Sequence, residues 1–473
     1  MAIRELNVID GVMNASREGV VNVLNERIAI WCRQNKWLQN DNHYKANCIR
    51  TLSRELSKRR VRNPRGTRIP RLSSHADLKD YIASSAILHC SDGWHYLGKA
   101  ILANLLGDMD IARHLGYYAE LRAAMAILAS EGIGIFNQIH ISINTSRSCT
   151  QFRPGDCQAV CEGSGTHKVT WGFLKEWANT QPARNLLEVI ITPSSVPLSV
   201  WVAEFLPGGR IWQSFASDWL TTWGVDLQKL ALDGISRNEA SYRPTELKER
   251  PFNPPSEALR FVKNAWLPYE PSVTSRFDLL DRHLLRLLLE NVFNAENNFT
   301  RDQFPERYRT WITELLIRMA HHLPVQHHWL PFLLRDIEPD DLDILGRAEM
   351  ANLDILDPSH HSSVISRASL LLRIASGSCA NLLEEADIDR AELAFWWQPL
   401  GERYGIWPPN AEPDDFTTLW AEVEESIEKL ELWEVNNPDI DAIGSYHHIR
   451  QELSEEILIL SSFERVGLWG LGL

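Results

Sequence analysis

Apolar residues recur at spacings of three and four over most of the chain, the period of a helix with one buried face. Between residues 16 and 60, Val20, Val21, Val23, Leu24, Ile28 and Trp31, then Cys48, Leu52 and Leu56, predict two helices. Ser74 is placed to cap a helix carrying Leu78, Ile82, Ile87 and Leu88, and a second run follows through Leu97, Ile101 and Leu105. Beyond the Gly107-Asp108 turn, a helix over 109–131 contains Tyr117, Tyr118, Leu121, Met125 and Leu128, and Gly132 stands where a C-terminal cap belongs. The period then changes to 2, with Ile133, Ile135, Ile139, Ile141 and Ile143 at odd positions. This alternation predicts one strand, isoleucines on a buried face and Gln138, His140 and Ser142 on the other.

A polar, cysteine-bearing loop follows over 144–166, then a helix with Trp171, Leu174 and Trp177. Residues 184–235 read as short tryptophan-rich helices broken at Pro193, Pro197 and Pro207. The stretch 243–256, RPTELKERPFNPPS, has four prolines and no apolar period, which makes it the best linker candidate. Beyond it the helical pattern returns over 277–293, 308–323, 342–356, 364–383, 393–404, 416–433 and 449–460, with no strand. The expected fold is mainly α: a helical N-terminal part with a short β element near 133–144, then a helical bundle or irregular helical array. Three units are expected. These are a helical region with a basic loop (1–72), a helical domain with the strand and cysteine loop (73–242), and an all-helical domain (257–473), since 473 residues exceed one ordinary core.

Composition narrows the class of protein. No apolar run approaches the roughly 20 residues of a membrane helix, and the N-terminus lacks the pattern of a secretory signal. The seven cysteines are odd in number and scattered, as in a reducing compartment. A cytoplasmic chain with no membrane contact is therefore expected. A net charge of -14 opposes general coating of nucleic acid. One basic island departs from that balance: Lys58, Arg59, Arg60, Arg62, Arg65, Arg68 and Arg71, with no acid among them. Its guanidinium groups could contact phosphates of RNA or DNA. The same stretch could equally be a solvated connector.

Candidate chemistry is sparse. Cys149, Cys157, Cys161 and His167 supply three thiols and an imidazole within nineteen residues, a donor set that zinc accepts. Their spacing lacks the paired Cys-x-x-Cys knuckles of common zinc folds, and small buried hydrophobes are the alternative. No other cofactor is implied. Histidine pairs at 321–322, 327–328, 360–361 and 447–448 lack an accompanying HExxH pattern. Glu246-Leu247-Lys248 echoes half of a metal nuclease site but falls in the proline-rich stretch. The 18 tryptophans mostly fall at core spacing.

Two stretches carry a resemblance to known families. Arg276 precedes His283 by seven residues in RFDLLDRH, a spacing that places both on one helical face. This resembles the Arg-x4-6-His motif of HEPN-type ribonucleases, which are helical bundles that usually dimerise around RNA. Phe277 stands where that motif has a polar residue. Arg276, His283, Glu290 and Asn297 equally form a plain polar stripe. The stretch 108–177, with YYAELRAAMAILASEGIGIF, His140 and GTHKVTWGFLKEWA, resembles the HEPN-related, YaaC-like helical proteins of bacteria, some found among phage-defence genes. That likeness covers about seventy residues and implies a helical architecture.

These features support three expectations. The first is a subunit of a bacterial phage-defence or toxin-like system that binds a protein partner, or a second copy of itself, with RNA or DNA as a further ligand. The second is a metal-independent HEPN-like ribonuclease in which Arg276 stabilises phosphate charge and His283 moves a proton. The third is a structural scaffold with a zinc-closed loop.

Overall fold

The computed structural model describes residues 8–9, 11–34, 76–136, 139–143, 149–152, 166–205, 230, 233–234, 253–272, 275–297, 300–323, 328–350, 360–415, 418–443 and 446–471. Its first half contains α1 (Arg17–Gln34), α2 (Ala76–Leu105), α3 (Met109–Ser130), β1 (Ile133–Phe136), β2 (Ile139–Ile143), β3 (Cys149–Phe152), α4 (Thr166–Ala178), α5 (Gln181–Ile190) and α6 (Leu198–Phe205). The second half is all helical: α7 (Pro255–Trp266), α8 (Asp278–Asn297), α9 (Pro305–Met319), α10 (Trp329–Leu333), α11 (Asp343–Glu349) and α12 (His360–Glu385). It ends with α13 (Ala394–Tyr404), α14 (Leu419–Asn436), α15 (Ile440–Ile443), α16 (Tyr446–Glu452), α17 (Ser454–Leu460) and α18 (Glu464–Gly470). The fold is mainly α, as the 3.6-residue period predicts. No described helix is long and apolar enough to cross a membrane.

Three long helices, α2, α3 and α12, pack on one another at the centre. The two runs expected over 74–105 are one continuous helix of 30 residues. Close approach is possible because small residues lie at the crossings. A Cβ on Gly93 would come within 2.5 Å of Leu372, and one on Gly116 within 3.2 Å of Val364. Helix α12 is buried on nearly every side although it is rich in serine and arginine. Its hydroxyls are satisfied locally, Ser366 Oγ donating to the Ser362 carbonyl at 2.8 Å and Ser369 Oγ to that of Ile365 at 2.9 Å. Others bridge helices: Trp94 Nε1 donates to Ser376 Oγ at 2.8 Å, and Ser130 and Ser378 hydroxyls meet at 2.6 Å.

The 243–256 stretch does not separate two cores. Residues from both sides of it form one buried cluster, in which α12 packs on α3 and α2, and α7, α17 and α18 pack on α2. An aromatic group ties the C-terminus to this centre: Trp266 stacks on Phe463 at 4.1 Å, and Trp94 meets Tyr269 edge-on at 5.2 Å.

The β element differs from the expected single strand. β1 and β2 form an antiparallel pair with Ile133 opposite Ser142 and Ile135 opposite His140, and β3 adds to β2 with Cys149 opposite Ile143. Opposed residues share a face, so the reversal places odd positions of β1 with even positions of β2. Ile133, Ile135, His140 and Ser142 are all buried together as a result. The continuous alternation mispredicted the polar pair because it assumed no reversal. Ile143, closing β2, is buried too. At the start of β1, Gly132 adopts φ +89°, a backbone conformation open to glycine, as its capping position predicts.

Beyond 257, α8, α9, α12, α13 and α14 match the expected segments closely. The helix expected over 342–356 is described only as far as Glu349, and that over 449–460 is broken into α16 and α17.

Candidate functional site

Arg276 and His283 do not share a helical face in a common site. Helix α8 begins at Asp278, so Arg276 lies in the turn before it, exposed, at the edge of a cleft. His283 is 3% exposed and packs edge-on against Phe332 at 5.2 Å. Arg286 Nη2 donates to His283 Nδ1 at 3.0 Å. The same nitrogen lies 3.4 Å from Asp341 Oδ1. Burial pushes the His283 pKa down, Asp341 opposes this, and Arg286 adds to it. The imidazole is one member of a charge lattice. Arg286 and Arg335 reach Asp341 at 2.7 and 2.6 Å, and Arg335 and Arg301 both reach Glu290 at 2.8 Å. Burial alone would raise the Asp341 carboxyl, but bonds from His283, Arg335 and Arg286 hold it well below the usual carboxylate range. Glu290 is thus ion-paired rather than solvated, and Asn297 Nδ2 returns to the Phe293 carbonyl at 2.8 Å. The expected polar stripe is a packed network.

The basic residues Lys58, Arg59, Arg60, Arg62, Arg65, Arg68 and Arg71 lie outside the described residues, as do Cys157 and Cys161. Cys149 sits on β3. His167, in the first turn of α4, has Nδ1 2.9 Å from the Tyr117 hydroxyl and stacks on that ring at 5.6 Å. Among the described residues no group of three His, Cys, Asp or Glu side chains could hold a metal ion.

The cleft beside Arg276 has a volume of about 450 Å³, a size at which small-molecule sites are found. The end of α5, Pro271 and Ser272, residues 275–277, one flank of α12, Asp415 and the end of α18 enclose it. Its frame is tightly bonded. The Thr192 and Ser194 amides donate to Asp281 and Asp278 at 2.8 and 2.6 Å, which fixes the loop after α5 to the first turn of α8. Arg373 grips Asp281 at 2.7 and 3.0 Å, donates to the Ile190 carbonyl at 2.6 Å and lies over the Phe277 ring at 4.5 Å. Ser272 and Ser275 close a small turn, Ser275 N donating to Ser272 Oγ at 2.8 Å.

Within this frame the cleft presents both charge signs. Arg276 and Glu384 are exposed and lack a hydrogen bond or close ion pair among the described residues. Partial desolvation lowers the Arg276 pKa, Arg373 adding to this and Glu384 opposing it. Trp469, 2% exposed, lines the same cleft, its buried Nε1–H without an acceptor among the described residues. Val189, Ile190 and Phe277 supply apolar wall. Sequence periodicity could mark Arg276 only as a stray cation before a helix. The partners Glu384 and Trp469 are far along the chain.

Two further features were not legible as sites. Glu120 of α3 is fully buried beside Asp233 and Arg367. Arg367 holds Asp233 bidentately, at 2.8 Å on each oxygen, and its Nε lies 3.9 Å from Glu120. Among the described residues neither Glu120 oxygen has a donor at hydrogen-bond distance. Burial first, then the Asp233 charge, raises the Glu120 pKa well above the ordinary range, against Arg367. A protonated Glu120 can donate to its neighbour. On the sheet, His140 is wholly buried, with neither ring nitrogen bonded among the described residues and its ring 6.2 Å from that of Phe173, and burial lowers its pKa to about 4.

In comparisons with protein-family models, curated proteins and solved structures, nothing matches this chain.

Proposed function

We propose that this chain is a helical subunit of a bacterial phage-defence or toxin-type system that binds a protein partner through the cleft between α5, α8, α12 and α18. One observation carries the reading: a cleft whose exposed cation, Arg276, and exposed carboxylate, Glu384, lack close partners among the described residues and stand over apolar walls. Recognition sites combine apolar surface with a few convergent polar groups in this way. The carboxylates Glu384 and Asp415 oppose a phosphate backbone in the same place. RNA or DNA contact would instead fall to the 58–71 island. The ribonuclease alternative gains no support from a histidine locked into an Arg286–Asp341 lattice.

Affinity capture with the full chain tests this reading against two variants, Arg276→Glu and Ala380→Trp, the second filling the cleft from α12. A discrete protein recovered in stoichiometric amount with the wild type is expected to be lost from both variants while their melting temperatures stay near the wild-type value. Undiminished recovery with both variants overturns the assignment of the cleft.

A further inference from the structure

We infer that the cleft's ligand is a small peptide-like zwitterion: a free α-carboxylate held by Arg276, an α-ammonium held by Glu384, and an apolar side chain against Phe277 and Ile190. This rests on the cleft being a recognition site and goes beyond the partner reading, because a free zwitterion would compete with a protein partner for the same walls. Arg276 enters from the turn before α8 and Glu384 from α12, so the two charges come from different walls. They influence one another electrostatically, yet no close ion pair forms between them. Each therefore keeps its hydrogen-bonding capacity for a third body.

Other ligand classes fit less well. An apolar molecule would strip water from both charges without replacing its hydrogen bonds. A dianion such as phosphate would meet Arg276 but also face Glu384 and Asp415. The second arginine of the cleft, Arg373, is already committed to Asp281 at 2.7 Å. A simple cation would be repelled by Arg276. A zwitterion answers both charged walls at once. Size agrees: about 450 Å³ is near the lower end of ligand sites, suited to an amino acid or a two- or three-residue peptide. Two lining glycines let the walls approach closely: a Cβ on Gly470 would lie 2.8 Å from Phe277, and one on Gly377 2.8 Å from Ile190.

Titration calorimetry on the full chain with L-leucyl-L-phenylalanine is the test, run beside its N-acetyl and C-amide forms and inorganic phosphate. The free dipeptide is expected to bind, and each blocked form to bind at least roughly ten-fold more weakly, since each leaves one charge unanswered. Arg276→Gln should abolish discrimination against the amide, and Glu384→Gln should abolish discrimination against the acetylated form. Both side chains are exposed, so both variants keep the wild-type melting temperature. Equal binding of free and blocked peptides, phosphate binding more tightly than the dipeptide, or no dipeptide binding overturns the inference. Loss of partner capture in the cleft variants without dipeptide binding would sink this inference alone. Dipeptide binding with capture intact would sink the partner reading alone.

Discussion

Among the described residues His140 has no hydrogen bond on either ring nitrogen, it has no exposed surface, and its pKa falls from 6.5 to about 4. Between those values the unfolded chain binds a proton that the folded chain refuses. Stability contributed by the neutral ring is therefore present above pH 6.5 and lost as pH falls towards 4, by at most about 3 kcal/mol. His140→Leu should flatten the melting temperature between pH 6.5 and 4.5 and leave it equal or higher at pH 7, because no bond is lost. A wild-type-like acid slope in this variant would place the loss elsewhere. Glu120 acts in the opposite direction. Its folded pKa is raised, so its contribution is full below the ordinary glutamate range and is lost as pH rises through the folded value. Glu120→Gln should thus gain stability relative to wild type on going from pH 4.5 to pH 8 in thermal melts, and a constant difference across that range would count against it. Neither residue could be read from sequence. Glu120 lies in a regular helix, and what distinguishes it is Asp233 and Arg367, brought together from separations of more than a hundred residues.

Helices were legible at this scale because their signal is local: an apolar face repeated every 3.6 residues and a cap at the end, as Gly132 illustrates. The β element was legible as β but not as a hairpin, since alternation reads the same along one strand and across a reversal that preserves parity only by chance. Arg276 illustrates a related error, because a seven-residue spacing has meaning only inside a helix and α8 starts two residues later. Helical glycines separate the local signal from its packing context. Alanine at an exposed helical glycine gains roughly 0.5–1 kcal/mol through backbone entropy. Gly346 of α11 is exposed with nothing within 4 Å of an added Cβ, so Gly346→Ala should stabilise by about that amount. Gly401 of α13 is buried, and an added Cβ would sit 1.9 Å from Trp407 Cζ2. Displacing a buried indole outweighs the propensity gain, so Gly401→Ala should lose about 1–3 kcal/mol in chemical denaturation. Changes of the same sign at both positions would contradict this reading of the packing.

The proline-rich 243–256 stretch reads as a boundary because prolines interrupt periodic structure, but interruption of the chain is not separation of the core. Helix α12, from the second half, lies against α2 and α3 from the first, and its long-range bonds bind both halves: Arg367 to Asp233, and Arg373 to the Ile190 carbonyl. Arg17 extends the tie, with bonds to Glu385 at 2.9 Å and the Ser378 carbonyl at 3.0 Å. Cutting the chain at this stretch would expose the buried flank of α12 and strand Arg367 without its carboxylates. An unpaired buried charge of that kind costs about 3–5 kcal/mol, a large share of the 5–15 kcal/mol that separates folded from unfolded domains. The full chain should therefore unfold with coincident far-ultraviolet circular dichroism and tryptophan fluorescence transitions. Residues 1–250 and 251–473 produced separately should each lack a cooperative transition, and co-expression should restore a soluble complex. A 251–473 fragment that unfolds cooperatively alone would mean that α12 can bury its arginines without α2 and α3. The shared core would then be an interface between two independent folding units.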